Sequence, residues 1–248
     1  MRRRHLHLAG AAFIGTAVVV FAVLAGGWKT KGHDADALWK LVHNHCAVDG
    51  KPCTIYDANA GYALLHDRVG RGQYLVIPTE KIPGIESPAL LADDSPNYFA
   101  RAWAHREYVS RAYGQPIPDD DLSLEINSVR GRTQNQLHIH IDCLQPEVKQ
   151  VLDRLDHGID GTWRNLGEPL FGHQYRAIRL LDLKTSPFKV LARDLQSPGD
   201  EMGRHTLLLV SSPNGFLLLD DYTHGLDVGS AEELQDHTCA GFVRPDMR

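Results

Sequence analysis

The sequence predicts an α+β protein: an antiparallel sheet with flanking helices, followed by a second β-rich half and preceded by an N-terminal transmembrane helix. Three observations support this fold class. Short apolar runs bounded by turn residues alternate with runs that have helical spacing. Segment 134–143 alternates apolar and polar residues with the period of a strand. An uncharged apolar run follows three arginines at the N-terminus.

This pattern divides the chain into three predicted parts. Residues 1–33 comprise a cytoplasmic arginine-rich tip, a transmembrane anchor and a short linker. Residues 34–160 form a catalytic half, and residues 161–248 form a second β-rich half that completes the domain. With 43% hydrophobic and 23% charged residues, the composition is that of a globular protein. The net charge of −5 gives no basic field, so we expect no nucleic-acid partner.

The predicted anchor is the run from Leu8 to Trp28. A helix of this length covers about 30 Å, the hydrocarbon thickness of a bilayer. The arginines before it stay on the cytoplasmic side under the positive-inside rule, so the rest of the chain is expected outside. A cleaved signal peptide is the alternative, because Ala25-Gly26-Gly27 offers small residues near a cleavage point. The apolar run exceeds the usual signal length of about 7 to 15 residues, which favours the anchor.

Four cysteines in an oxidising compartment favour disulfides, and three pairings are possible. We favour Cys46 with Cys53, which a short turn separates, and Cys143 with Cys239. The second bridge would join the end of the chain to segment 134–143 and stabilise the fold by about 4 to 5 kcal/mol.

Periodicity and turn residues place the remaining elements. Ala35 to His45 has the apolar spacing of a modest helix, and the best helix begins at Ser95-Pro96 and ends before Gly114. Pro146 to Leu155 is a third helix. The predicted strands are 54–57, 62–66, 73–78, 122–126, 175–183, 205–211 and 215–221. Four histidines of the second half, His173, His205, His224 and His237, stand singly and are expected to be structural or exposed.

Segment 134–143 is the predicted site. Gln136, His138, His140 and Asp142 share one face of this strand, about 7 Å apart. Aspartate is depleted in strands, so a merely solvated face is a poor explanation. The turn before it is rich in donors that match phosphate oxygens. These donors are Asn127, Ser128, Arg130, Arg132, Thr133, Gln134 and Asn135.

The order of elements and the pattern Gln134-x-x-x-His138-x-His140 resemble the histidine-triad (HIT) nucleotide hydrolases and transferases. In that family the middle histidine of His-x-His-x-His attacks the α-phosphate of a nucleotide. The resemblance implies that His140 is the nucleophile and that His138 is its catalytic neighbour. It also implies a set of residues that bind phosphate or nucleotide: Asn127, Arg132, Gln134, Gln136 and Asp142.

Asp142 departs from the pattern, because it stands where the family has a third histidine. A carboxylate repels phosphate unless it is protonated or paired, so Asp142 is expected to face an arginine or to orient His140. A slipped register would instead make Gln136, His138 and His140 the triad, with His138 as the nucleophile. The matches at Asn127 and Gln134 favour the first register.

Within this superfamily the chain resembles the bacterial CDP-diacylglycerol pyrophosphatases. The shared stretches are 132–143, 202–206 and 229–239, after a membrane-anchoring N-terminus. The resemblance implies hydrolysis of CDP-diacylglycerol to CMP and phosphatidate through a nucleotidyl-histidine, without metal or cofactor. It also implies a single-pass protein of the bacterial inner membrane with a periplasmic catalytic domain, whose partners are the lipid substrate and the bilayer.

Two other functions fit the same residues. A metal-dependent hydrolase would use His138, His140 and Asp142 as ligands to a hydroxide-generating ion. The His-x-His-x-Asp-His motif of metallo-β-lactamase-like enzymes requires a histidine at the position of Cys143. No further ligands cluster by spacing in this sequence. A non-catalytic anchored module would bind a nucleotide lipid with the same donors.

Overall fold

The computed structural model describes residues 34–242, and the predicted anchor Leu8 to Trp28 lies outside them. Ten strands form one antiparallel sheet. They are β1 (Ile55–Asp57), β2 (Tyr62–His66), β3 (Tyr74–Pro78), β4 (Leu122–Ile126), β5 (Ile139–Leu144), β6 (Arg164–Asn165), β7 (Arg176–Leu180), β8 (His205–Ser212), β9 (Gly215–Tyr222) and β10 (Gln235–Asp236). Their order is β1-β2-β3-β5-β4-β8-β9-β7-β6, and β10 pairs with the end of β5. The α+β class with a large antiparallel sheet is confirmed.

Seven helices flank this sheet in the described part of the chain. They are α1 (Ala37–Leu41), α2 (Ala47–Asp49), α3 (Tyr98–Ala104), α4 (Glu107–Tyr113), α5 (Pro146–Leu155), α6 (Pro187–Asp194) and α7 (Pro198–Glu201). A π-helical segment, Val42–Cys46, joins α1 to α2. Single 3-10 turns lie at Pro88–Leu91, Asp119–Asp121, Asp156–Gly158, Met202–Arg204 and Ala231–Leu234. Within residues 34–242 no helix has both the length and the apolar character needed to cross a membrane.

The two faces of the sheet have different cores. One face carries Leu122, Leu124, Ile139 and Ile141 and packs in a single large apolar cluster. The other face carries two smaller clusters, one around Leu208 and Leu219 and one around Leu65, Leu75 and Val42. On this second face, between its two apolar clusters, β4 and β5 carry polar side chains, and Glu125 stands opposite His140. The site therefore occupies a polar row between two apolar clusters.

Both predicted disulfides are confirmed: Cys46 is bonded to Cys53 and Cys143 to Cys239. The second bridge joins β5 to the chain just after β10, which places residues 231–239 against the polar face.

Three local predictions need correction. The helix expected to run from Ser95-Pro96 to Gly114 is two helices, broken between Ala104 and Glu107, and its N-cap is Asn97, whose side chain accepts from the Ala100 amide at 3.1 Å. The central strand begins at Ile139 rather than Gln134. Residues 134–138 bond instead to neighbouring loops, with the Leu137 amide donating to the Ile82 carbonyl at 2.6 Å. Helix α6 was not predicted, although Ser186-Pro187 is a helix-start signal.

The strands of the two predicted halves join in one sheet, because β4 pairs with β8 from Ser123–Val210 to Ile126–Leu207. The division at residue 160 stays a prediction.

Candidate active site

The predicted face of β5 is assembled as a buried polar site. His138 is 9% exposed, His140 is 5% exposed and Asp142 is fully buried. The rings of His138 and His140 lie 4.9 Å apart between centroids. In the sheet His140 stands between Leu75 of β3 and Glu125 of β4. The sequence therefore placed both histidines correctly on one face, and the structure adds a carboxyl group beside them.

His138 is held by its own backbone. Its Nδ1 lies 2.6 Å from the carbonyl oxygen of Gln136, so Nδ1 carries the proton and donates it. Burial lowers the pKa of His138, which keeps the ring neutral. The lone pair is therefore on Nε2, and the side chain lines the cavity described below. A neutral, oriented imidazole of this kind can act as a nucleophile.

His140 has a different environment. Neither ring nitrogen has a hydrogen-bond partner in the described chain. Nδ1 lies 3.5 Å from Glu232 Oε1, and Nε2 lies 3.9 Å from Glu125 Oε2. Burial drives the pKa of His140 well below its usual value, and the nearby rings of His138 and His237 lower it further. His140 is thus a neutral ring between two carboxyl groups.

Glu125 is the carboxyl group behind His140. It is completely buried on β4, and burial raises its pKa well above the usual value, with the charge of Glu232 adding to the effect. The hydroxyl of Thr206 donates to it at 3.3 Å and opposes the shift. A carboxyl group in these surroundings is stable in its protonated form.

Asp142 belongs to a second chain of groups that leads back to His140. Its Oδ2 lies 2.8 Å from Nδ1 of His237, and Nε2 of His237 lies 3.7 Å from Glu232 Oε1. Burial raises the pKa of Asp142, while its hydrogen bond raises the pKa of His237. Asp142 therefore pairs with His237, whereas the sequence led us to expect an arginine or His140 as its neighbour.

A cavity of about 600 Å³ opens onto these groups, within the range of small-molecule sites. Its polar lining includes His138, His140, Glu232, Asn127 and Gln134. Leu38, Leu41, Leu65 and Leu75 form an apolar wall, and Arg68 stands among its exposed lining residues. Asn127 donates from Nδ2 to Glu232 Oε2 at 3.1 Å.

The other predicted phosphate donors are engaged by the protein. Arg132 forms two bonds to the carboxylate of Glu86, at 2.6 and 2.8 Å. Gln136 donates to the carbonyls of Pro78 and Glu80. Gln134 accepts from the Leu38 amide at 2.9 Å, although it also lines the cavity. Of the predicted binding residues, Asn127 and Gln134 are those that reach the cavity wall.

Three residues of this site were missed as candidates from the sequence: Glu125, Glu232 and His237. Glu125 had a signal, because a glutamate at an inward position of an apolar strand is unusual. Glu232 and His237 lie in stretch 229–239, where the sequence shows a resemblance to the family but no pattern that predicts a catalytic role.

The ligand set of the metal-hydrolase alternative does not converge. His138, His140 and Asp142 share a face, but Asp142 turns to His237. Among residues 34–242 a different group, Glu125, His140 and Glu232, brings three potential ligand atoms within 4.8 Å of one another. The metal-dependent alternative with the predicted ligands is therefore not favoured.

Comparison with known proteins gives a consistent result. A profile of CDP-diacylglycerol pyrophosphatase matches residues 33–242. A protein of Yersinia pestis described as CDP-diacylglycerol pyrophosphatase is 44% identical over 236 residues, covering 90% of this chain and 92% of that protein. The residues matched by the profile include the whole site.

Proposed function

Because the chain belongs to the CDP-diacylglycerol pyrophosphatase family, we propose that its cavity binds CDP-diacylglycerol and hydrolyses the diphosphate bond to give CMP and phosphatidate. The enzyme is a hydrolase that acts on a phosphoric anhydride. The observation that carries the proposed mechanism is the hydrogen bond from His138 Nδ1 to the Gln136 carbonyl. It presents the unprotonated Nε2 of a neutral ring at the wall of a cavity of suitable size.

We assign the attack to His138, which the sequence left as the second choice after His140. A nucleophilic imidazole needs one fixed tautomer, and the bond to Gln136 provides it. That carbonyl also stabilises the positive charge that the ring gains when Nε2 forms a bond to phosphorus. His140 has a carboxyl group near each nitrogen, at 3.5 and 3.9 Å, but no hydrogen bond within the described chain that fixes which nitrogen carries the proton.

The proposed reaction has two displacements. First, Nε2 of His138 forms a bond to the phosphorus of the CMP moiety, and the bond from that phosphorus to the bridging oxygen breaks. Phosphatidate leaves with the electron pair, and as a phosphomonoester with a second pKa of about 6 it needs no strong acid. Water then attacks the same phosphorus, its proton is taken up by a base, and the P–N bond breaks to release CMP.

Glu232 is the proposed base in the second step. It lines the cavity, its Oε2 accepts a hydrogen bond from Asn127, and its Oε1 lies 3.7 Å from Nε2 of His237. His140 is proposed to donate an N–H to a phosphate oxygen. Glu125, on the other side of the His140 ring, stays protonated and adds no negative charge. Arg68 and the Asn127 amide would bind the diphosphate oxygens.

Two broader features belong to the same proposal. We propose that the likeness to histidine-triad proteins covers strands β4 and β5 and the histidines His138 and His140. The lipid substrate implies a membrane location, with Leu8 to Trp28 as the anchor and the domain on the periplasmic side.

The test compares His138→Ala, His140→Ala and the exposed control His157→Ala, in CMP release from CDP-diacylglycerol. We expect His138→Ala to lose at least about 10³-fold in kcat, since removal of a nucleophile abolishes the covalent route. His140→Ala should lose about 10²-fold, and the control should be unchanged.

Added imidazole should restore part of the activity of His138→Ala and none of the activity of His140→Ala. Rapid acid-free quenching with substrate labelled in the CMP phosphate should trap label on the wild-type protein. Rescue of His140→Ala instead, with loss of trapping in that variant, would assign the attack to His140. Absence of CMP release by the wild type would refute the function itself.

A metal should not be required for the chemical step, because the proposed donors carry the phosphate charge. Turnover should persist after exhaustive chelation, with at most a partial loss. Complete loss in chelator that zinc restores would favour a metal at Glu125, His140 and Glu232, and binding without turnover would favour the non-catalytic module.

A further inference from the structure

A second cluster of ionisable groups lies outside the cavity. It combines His173, Asp221, Asp227 and Glu233, which come from four separate segments. Asp221 is near the end of β9, His173 follows a tight turn after Leu170, Asp227 is in the loop after β9, and Glu233 is in the turn Ala231–Leu234. Ligand atoms of His173, Asp221 and Asp227 all lie within 4.8 Å of one another.

Asp221 is the least satisfied member. Its residue is 2% exposed, and neither carboxylate oxygen has a hydrogen-bond partner in the described chain. Burying such a group without a partner is costly, so native proteins pair buried carboxylates or use them to bind cations. Within the described chain Asp221 forms an ion pair with Nδ1 of His173, at 3.8 Å. Within the described chain, no hydrogen bond therefore offsets the cost of burying the Asp221 carboxylate.

His173 is oriented as metal-binding histidines are. Nδ1 faces Asp221 and Asp227, and it is paired with Oδ2 of Asp227. Nε2 lies 3.5 Å from a carboxylate oxygen of Glu233. Histidine ligands commonly give their second N–H to a carboxylate, which fixes the tautomer that leaves the other nitrogen free for the ion. Glu233 is placed for that task.

Backbone hydrogen bonds fix the positions of His173 and Asp227. Leu170 and His173 exchange two backbone hydrogen bonds, at 3.0 and 2.9 Å, which hold the turn that presents the ring. Asp227 accepts the Gly229 amide on Oδ1 at 2.8 Å, which leaves Oδ2 directed at His173. In the described chain the ion pairs of Asp221, Asp227 and Glu233 are all with histidines.

We propose that His173, Asp221 and Asp227 form a zinc-binding site, with Glu233 orienting His173 from its far nitrogen. One imidazole and two carboxylate oxygens suit Zn²⁺, and water would supply a fourth ligand. Tetrahedral ligands at about 2.1 Å from zinc lie about 3.4 Å apart, so the contact of His173 with Asp221 would shorten and its contact with Asp227 would lengthen. The ring of His173 is 30% exposed, which gives the ion a path of entry.

The site has a consequence for the cavity. Glu233 follows Glu232 in one 3-10 turn, and the two side chains point to different histidines, His173 and His140. An ion that holds His173 would hold Glu233, and with it the turn that carries Glu232. This consequence rests on the proposed function, whereas zinc binding does not.

The test measures Zn²⁺ binding by the full-length, metal-stripped chain, by equilibrium dialysis and by thermal unfolding. We expect one bound zinc at micromolar Zn²⁺, and a rise in Tm of about 5 °C at a hundredfold excess over Kd. His173→Gln and Asp221→Asn should each weaken binding at least about tenfold, and Glu233→Gln should weaken it about tenfold through the orientation of His173. Mg²⁺ should not compete.

Controls separate this site from the cavity. His157→Gln and Asp153→Asn, at exposed positions, should bind zinc as the wild type does, and circular dichroism checks that all variants are folded. His140→Ala should also keep its zinc. The proposal is overturned if the wild type binds no zinc, if His173→Gln and Asp221→Asn both bind normally, or if His140→Ala loses the ion. Zinc binding is read directly, so its outcome is independent of whether CDP-diacylglycerol is the substrate.

Discussion

Removal of the Cys143–Cys239 bridge should destabilise the fold more than removal of Cys46–Cys53. The sequence separations of the two bridges are 96 and 7 residues. On the loop-entropy relation these lengths correspond to about 4.7 and about 2.4 kcal/mol, a difference of about 2.3 kcal/mol. Both cysteines of the long bridge are 1% exposed, whereas in the short bridge Cys46 is 1% exposed and Cys53 is half-buried. The loss of packing on substitution by alanine is therefore larger at the long bridge and adds to the difference expected from loop length.

The assay is denaturant unfolding of the two double alanine variants and the wild type, without reductant. The variant without Cys143 and Cys239 should have the lower free energy of unfolding and the larger m-value, because its unfolded chain expands more. The wild type in strong reductant should approach the sum of both losses. Equal losses, or a larger loss from the short bridge, would refute the loop-length reasoning.

The same variants separate stability from function. The long bridge holds β5 beside His237, so its removal should slow CMP release well below the unfolding temperature. The short bridge lies by α2 and should matter less to turnover.

Three further predictions concern charge and the membrane. Glu125 has a raised pKa in the fold, so the stability it contributes below its unfolded pKa is lost as pH rises toward the folded value. The Tm of Glu125→Gln should therefore fall less than the Tm of the wild type between pH 5 and pH 8. An equal fall in both proteins would contradict the inference that Glu125 is protonated. Asp142→Asn removes the partner that raises the pKa of His237, so the NMR titration of that ring should move to lower pH; no shift would mean that the pair does not form in solution. Removing residues 1–28 should cost more activity on bilayer-embedded CDP-diacylglycerol than on a detergent-dispersed analogue, and equal losses would argue for a role in folding or export.

Much of the local structure could be read from the sequence. Strands β2 and β4 and helix α5 match their predicted limits, because apolar periodicity and the turn residues beside them act over a few residues. The alternation around Ile139 placed His138 and His140 on one buried face. The same local reasoning failed where a long-range contact decided the outcome. Residues 134–138 resemble a strand, yet their amides bond to loops.

The donors of the turn before β5 show a similar limit. Arginine and amide side chains there suit phosphate, and the sequence cannot say which of them the protein itself engages. Arg132 is taken by Glu86, 46 residues away, and Gln136 by the carbonyl of Pro78, 58 residues away. Burial explains both outcomes, since an interior guanidinium or amide needs partners whether or not a ligand is present.

The sequence by itself determined the sheet-forming pattern, the pair of adjacent histidines and a favoured disulfide pairing, because each depends on spacing along the chain. The tertiary structure decided what surrounds those histidines. Asp142 meets His237 across 95 residues, and Glu232 reaches His140 from a turn that folds back over the polar face. A carboxyl group acquires its role from the charges and the burial around it, and those are set by segments that local pattern does not connect.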